Sequence, residues 1–306
     1  MKNIGIAINP SKDNDNKILD MVIKKFREKF ELDDIYVFNS FDIRKQELKN
    51  LDLLVVLGGD GTLLGIARNL KDDFEAPLFG INIGNLGFLS SVDISEIDFA
   101  LDKIKNGEYK IVERMMLSCD VEESKDGTIL CNNTDHVFHG EELRALNDVV
   151  LARGTLSRMV KFRIYVDGKL YSKFKGDGLI IATPTGSTAY SFSAGGPFIY
   201  PDLELITITP ICPHTKAMQT IVLNGKSRIE IYADNEEEKI YLTVDGQKAI
   251  EVNQKIPIRV RKCIKNIKVL LCDNYDYFKV LRGKILNNSK ECDGEEFWNQ
   301  KDIQKY

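Results

Sequence analysis

Hydrophobic positions recur in two different rhythms along this chain. Through residue 108, short unbroken apolar runs alternate with stretches of helical period. Lys2 to Ile8, Ile35 to Phe38, Leu53 to Leu57 and Pro77 to Ile83 read as strands. Asn14 to Phe30 sets Ile18, Leu19, Val22, Phe26 and Phe30 on one helical face, and Leu63 to Leu70 reads as a helix after a glycine turn. Ser95 to Lys105 reads as another, with Ser95 as N-cap and Gly107 just past its end. This alternation predicts an α/β N-terminal domain with a parallel sheet flanked by helices. After about Glu108 the rhythm becomes strand-like, as in Ile164 to Val166, Ile229 to Tyr232 and Ile240 to Val244. Asp126-Gly127, Asp167-Gly168, Asn224-Gly225 and Asp245-Gly246 separate the runs. Such pairs suit two-residue hairpin turns, because glycine accepts positive φ. The second half therefore reads as a β-rich, mainly antiparallel C-terminal domain.

Composition narrows the partners. The 306 residues suffice for two domains with real cores, and 29% charged against 43% hydrophobic residues is ordinary for a globular chain. A net charge of −4 argues against a nucleic-acid footprint. Lys161-Phe162-Arg163 and Arg259-Val260-Arg261-Lys262 alternate with apolar residues and read as the wet faces of strands. The opening "MKNIGIAINP" is too short and polar for a signal peptide, and no apolar run approaches the roughly 18 residues of a membrane span. Cysteines 119, 131, 212, 263, 272 and 292 form no C-x-x-C pair and read as reduced thiols, so a cytoplasmic location is expected.

Three stretches carry the candidate chemistry. In "LLVVLGGDGTLLG", an apolar strand runs into Gly58-Gly59-Asp60-Gly61-Thr62 and then a helix. Backbone N–H groups at a helix start bind phosphate, and glycines let a ligand approach closely. A plain turn seldom needs three glycines around an acid. Leu64 stands where a dinucleotide fingerprint G-x-G-x-x-G needs its last glycine, and Thr220 stands where a P-loop ending at Gly225-Lys226-Ser227 needs its first. The second stretch, "GINIGNLGFLS" from Gly80, brings Gly84, Gly87 and Phe88 to a neighbouring strand exit, where ligands of open α/β sheets collect. The third, "KGDGLIIATPTGSTAYSFSAGGP" from Lys175, packs Thr183, Thr185, Ser187, Thr188, Tyr190, Ser191 and Ser193 behind an apolar strand. So many hydrogen-bonding groups with little bulk suit a sugar, base or amide. Asn147-Asp148, ahead of an apolar strand, is an amide–carboxylate pair suited to a ribose diol. Cys131, His136 and His139, spaced C-x4-H-x2-H, do not match a usual zinc set, and no G-x-S-x-G elbow appears.

Together these stretches resemble the NAD kinase family. GGDGT stands at Gly58 to Thr62, and the family's Leu-Gly-Phe resembles Leu86-Gly87-Phe88. "LNE" resembles Leu146-Asn147-Asp148, "DGL…STPTGSTAYSxSAGGP" is matched nearly throughout by Asp177 to Pro197, and "DGQ" corresponds to Asp245-Gly246-Gln247. GGDGT alone is shared with lipid kinases; the long threonine-glycine-tyrosine segment makes the likeness specific. The resemblance implies an N-terminal domain over 1–108, a β-rich dinucleotide-binding domain over 109–270, and a return to the first domain with a tail over 271–306. It implies transfer of the γ-phosphoryl group of ATP to the 2′-hydroxyl of the adenosine ribose of NAD, giving NADP. Gly58, Gly59, Gly61 and Thr62 would frame phosphate oxygens. Asp60 would accept the hydroxyl proton, orient the hydroxyl, or help hold Mg²⁺; these three roles stay open, and no fixed protein metal site is expected. Asn147 and Asp148 would contact ribose, and Asp177 the nicotinamide end. Thr185, Thr188, Ala189, Tyr190 and Ser193 would line the pocket, with Gln247 near it and Phe88 beside the adenine. Arg158 and Lys175 are the candidate cations. A homodimer or homotetramer is implied.

Two departures stand out. Asp148 is one methylene shorter than the family's Glu, and Lys175 keeps the charge of a frequent Arg without its planar fork. The 124–142 tip and the 286–306 tail match nothing functional. Rival readings are a GGDGT kinase acting on a lipid or sugar, and a catalytically silent NAD- or NADP-sensing module.

Overall fold

The computed structural model describes residues 1–43, 48, 50–70, 72–84, 87–121, 143–154, 159–234, 239–252 and 257–286. The first apolar runs form β1 (Ile4–Ile8), β2 (Tyr36–Asn39), β3 (Leu53–Leu57), β4 (Leu78–Asn82) and β5 (Val92–Asp93), with helix α1 (Lys17–Phe30) between β1 and β2, α2 (Asp60–Asn69) between β3 and β4, and α3 (Ile97–Lys105) after β5. Strands β2, β1, β3 and β4 run parallel in that order, and β5 adds to β4. Ile4, Ile6, Leu53, Val55 and Phe79 pack on Val22 and Phe26 of α1 and Leu101 and Ile104 of α3. The alternate residues Ala7, Leu54, Val56 and Leu78 pack on Leu63, Ile66 and Ala67 of α2. Coverage on both faces explains why these strands read as unbroken apolar runs. The α2 cluster also takes in Met116, Leu146 and Cys263, so α2 is buried between the sheet and the second half of the chain.

Strand β6 (Tyr109–Arg114) closes the sheet edge, antiparallel to the returning Ile267–Cys272, which itself lies parallel to β4. Both flanking strands, β6 and Ile267–Cys272, belong to the first sheet. The chain between them forms β7 (Leu117–Val121), β8 (Leu143–Ala145), β9 (Asp148–Arg153), β10 (Val160–Val166), β11 (Lys169–Gly176), β12 (Gly178–Ala182), β13 (Leu205–Ile211), β14 (Ile221–Asn224), β15 (Ile229–Asp234), β16 (Ile240–Val244), β17 (Lys248–Glu251) and β18 (Ile258–Lys262). They make two antiparallel sheets, β11-β10-β15-β18-β7-β8 and β14-β13-β12-β9-β16-β17. Phe162, Ile164, Ile231 and Val260 of one meet Leu151, Leu179, Ile208 and Leu242 of the other in a shared core. The fold class read from the sequence thus holds, with one antiparallel strand at the edge of the first sheet.

Several local details differ from the sequence reading. Helix α2 starts at Asp60, three residues before its apolar period, with Gly59 as N-cap. A carboxylate in the first turn suits the helix dipole. The helix over 97–105 is preceded by a 3-10 turn capped by Asp93, whose side chain accepts from Ser95 N–H; Ser95 is not the cap. Asp167-Gly168 and Asp245-Gly246 do turn hairpins, with φ of 50° and 77°, and 50° and 62°. Asn224-Gly225 does not: it carries the chain from one sheet to the other. Glycine is needed there because a Cβ would come within 2.9 Å of the Glu204 carbonyl oxygen.

Candidate active site

The acid between glycines is held by the neighbouring loop. Phe88 N–H donates to Asp60 Oδ2 at 2.7 Å; Leu89 N–H and Ser90 Oγ–H donate to Oδ1 at 3.2 and 3.3 Å. A carboxylate has about four acceptor positions, so Oδ2 keeps capacity for one more donor. A Cβ on Gly87 would overlap this carboxylate, which is the physical reason for glycine in that loop. Gly58 is likewise glycine because the Thr62 side chain folds back over it. Thr62 is buried, and its Oγ1 accepts from Asn9 Nδ2 at 3.4 Å. At the helix start, Thr62 and Leu63 N–H bond Gly59 O, while the amides of Asp60 and Gly61 have no intrahelical acceptor. Tyr275, after the chain has returned, donates its hydroxyl to Phe88 O at 3.3 Å.

The second domain meets this turn directly. Gln247 Nε2 donates to Gly61 O at 2.7 Å, and Arg68 of α2 donates to Gln247 Oε1 at 2.9 Å. Asp245, two residues earlier, accepts the amides of Leu146, Asn147 and Asp148 at 3.2, 2.7 and 3.2 Å. Asn147 O accepts Thr183 N–H at 2.9 Å, and Thr183 Oγ1 donates to Leu146 O at 2.6 Å. The glycine turn, the Asp245-Gly246-Gln247 turn, Asn147-Asp148 and the hydroxyl-rich loop are thereby joined in one continuous seam.

The loop's hydroxyls divide into two sets. Ser187 Oγ bonds Pro184 O, Ile199 O and Ile199 N–H, Ser191 Oγ bonds Thr209 Oγ1, and Thr188 Oγ1 donates to Thr185 O at 3.3 Å. These groups stitch the loop to its own scaffold. Thr185 Oγ1 is buried with no hydrogen-bond partner among the described residues, and such a group calls for an external one. Ala189 is half-buried, and Tyr190 and Ser193 are exposed. Lys175 and Asp177 stand apart. Asp177 precedes β12 while Thr183 follows it, roughly 20 Å away along the strand. Asp177 is paired with Arg153 Nε at 2.8 Å, and Lys175 is exposed. Arg158, Leu86, the Cys131–His139 set and the tip and tail beyond Leu286 lie outside the described residues.

Asp148 is 3% exposed. Burial first, and then the nearby Asp245 charge, push its carboxyl up to about 7. Below the ordinary carboxylate range Asp148 is protonated in both folded and unfolded chains. Between there and about 7 only the folded chain holds the proton, so stability falls as pH rises across this window. Asp148→Asn is expected to be more stable than the parent at about pH 8 and to lose that advantage near pH 4; urea unfolding at both values checks it.

A parallel α/β domain with an acid at a glycine-framed helix start, closed by the β-sandwich edge that carries the hydroxyl-rich loop, is the arrangement that the resemblance read from the sequence implies. Comparison with known proteins agrees: ATP-NAD kinase N-terminal domain matches residues 1–109 and ATP-NAD kinase C-terminal domain matches residues 146–271. An NAD kinase of Clostridium beijerinckii is 72% identical, covering 96% of this chain and 99% of its own. One of Clostridium botulinum (strain Alaska E43) is 60% identical, covering 97% and 100%. The crystal structure of an NAD kinase from Archaeoglobus fulgidus in complex with ATP superposes with a TM-score of 0.70 at 26% identity, over 92% of this chain and 97% of that one. Yeast NADH kinase complexed with NADH shares the fold at 0.77 and 24%, over 95% and 88%. The chain belongs to the ATP-NAD kinase family.

Sequence reasoning missed Arg68, Ser90, Asp245 as a clamp, and Tyr275. Only Asp245 carried a signal, as the start of a quoted motif; the others take their meaning from partners distant in the chain.

Proposed function

We propose that this chain is an NAD kinase that transfers the γ-phosphoryl group of ATP to the 2′-hydroxyl of the adenosine ribose of NAD. The seam carries the reading: it joins the turn of Asp60, with acceptor capacity left on Oδ2, through Gln247 and Asp245 to Asn147-Asp148 and to the loop whose Thr185 hydroxyl has no partner among the described residues. The high identity to NAD kinases over almost the whole chain supports the substrates. Phosphoryl transfer passes through a loose transition state, so positioning outweighs base strength. Asp60 orients the ribose hydroxyl and takes its proton as the bond to phosphorus forms. The amides at the start of α2 bind phosphate oxygens.

A divalent cation fits as a companion of ATP. Among the described residues no group of three His, Cys, Asp or Glu side chains could cage a metal. Mg²⁺ is commonly held by one or two carboxylates plus substrate phosphates, so the ion would ride chiefly on ATP, leaving the open position of Asp60 to the ribose hydroxyl. Such an ion supplies neutralisation of phosphate charge. The reading extends to a cytoplasmic homodimer or homotetramer, checked by light scattering.

The test is incubation with NAD, ATP and Mg²⁺, followed by enzymatic detection of NADP and by NMR of the phosphorylated ribose. NADP bearing a 2′-phosphate is expected. ATP consumption with diacylglycerol or sphingosine instead, or NAD binding without NADP, would replace the assignment.

A further inference from the structure

One cation bridges the two halves of the seam. Arg68 lies in the last turn of α2, the helix that opens with Asp60. Its Nη2 donates to Gln247 Oε1 at 2.9 Å, and its Nη1 stands 3.6 Å from Asp245 Oδ2. The Asp245 side chain is fully buried and that of Arg68 is 10% exposed. Asp245 meanwhile takes three amides, from Leu146, Asn147 and Asp148. An ionised carboxylate accepts these amides most strongly and attracts the guanidinium, whereas a protonated one keeps fewer acceptor positions and meets Arg68 without charge. Burial pushes the Asp245 carboxyl up, and the amides of Asn147 and Leu146 together with Arg68 oppose it. The planar guanidinium hydrogen-bonds Gln247 with one nitrogen and stands in ion-pair range of Asp245 with the other, a fixed fork that a lysine ammonium does not reproduce.

We infer that Arg68 is a positioning residue for the transfer: by holding Asp245 charged and Gln247 oriented, it fixes the ribose-binding stretch 146–148 relative to Asp60. In this assignment Arg68 takes no part in the bond-making step itself. It acts through Asp245, which sets the Asn147-Asp148 backbone, and through Gln247, which reaches Gly61 O. The assignment deepens the NAD kinase reading and rests on it for the identity of the ribose.

The full chain and its Arg68→Met, Arg68→Lys, Asp245→Asn and double Arg68→Met/Asp245→Asn variants decide the matter. The readouts are the Kd of NAD by calorimetry, kcat, the KM values of NAD and ATP, and thermal melting. In Arg68→Met, NAD binding should weaken by at least about 30-fold and kcat should fall, because a buried charge loses its partner. The KM of ATP should move by less than about threefold, and Arg68→Lys should fall between. The double variant should be no more than about threefold worse than Arg68→Met, since both break one linkage. NAD affinity and kcat within about twofold of the parent in Arg68→Met would overturn the inference, as would equal losses on the ATP and NAD sides. If Arg68→Met does not fold, a parent-like Arg68→Lys overturns it and a selective NAD-side defect supports it. A parent chain that binds NAD but makes no NADP defeats the kinase reading alone, and the calorimetric comparison still judges Arg68.

Discussion

Asp60→Asn is expected to lower turnover by roughly 10³-fold while the chain stays folded and still binds NAD. The carboxylate lies at the first position of α2 and receives three donors from the loop over 88–90. An amide retains one acceptor oxygen. That oxygen is best placed at the Oδ1 position, where Leu89 N–H and Ser90 Oγ–H converge. The NH₂ then faces Phe88 N–H, donor against donor, at a cost of about 1–3 kcal/mol. The substitution therefore removes the proton acceptor and also loosens the Gly87-Phe88 loop. Ser90→Ala separates the two effects, because it removes one donor and leaves the acid intact; a loss below about tenfold is expected. Steady-state rates of NADP formation and NAD calorimetry on both variants are the measurements. A Ser90→Ala defect as deep as that of Asp60→Asn would make Asp60 a loop clamp. An Asp60→Asn kcat near the parent's would remove it from the chemistry.

How much of this was legible in the sequence depends on how local each cause is. The buried strands β1, β3 and β4 and the Asp167-Gly168 and Asp245-Gly246 hairpins are set by neighbouring residues, and all were readable. Gly58 to Thr62 announced a strand-to-helix turn, yet not that Asp60 already belongs to the helix. Apolar periodicity starts only at Leu63, while the cap is a glycine with no side chain to signal it. Polarity misled in the loop from Thr183 to Ser193, where Ser187 and Ser191 are buried and bonded within the fold. A hydroxyl turned inward and one turned toward a ligand are the same letter. Arg68 was invisible for a related reason. A cation in the last turn of an amphipathic helix reads as solvent-facing, and its partners Asp245 and Gln247 lie in another domain. The pair Asn224-Gly225 shows the converse, a true glycine signal whose cause is the approach of Glu204 and not a hairpin.

The tightest approach of backbone to backbone in the seam is at Gly186, and Gly186→Ala should be strongly destabilising. Gly186 lies in the 3-10 turn over Thr185–Thr188 and is buried against the backbone of Asn147. An added Cβ would fall 2.7 Å from Asn147 Cα and closer still to its carbonyl group. Backbone cannot swing aside as a flexible side chain does. Asn147 is also fixed on its other side, since its N–H bonds Asp245 and its C=O bonds Thr183 N–H. Relief therefore requires either the turn to lift from β12 or the 146–148 amides to leave Asp245. Overpacking of this kind costs about 3 kcal/mol, read as a fall of roughly 5–8 °C in Tm for a unit of this size. The two routes differ in function. Lifting the turn displaces Thr185 and weakens NAD binding with Asp60 undisturbed. Release from Asp245 leaves a buried carboxylate without its amide donors and adds a steep loss of stability above the ordinary carboxylate pKa. Thermal melts at acid and neutral pH, with the KM of NAD, distinguish them. A variant with unchanged Tm and KM would show that the turn does not bear on Asn147 as the structure places it.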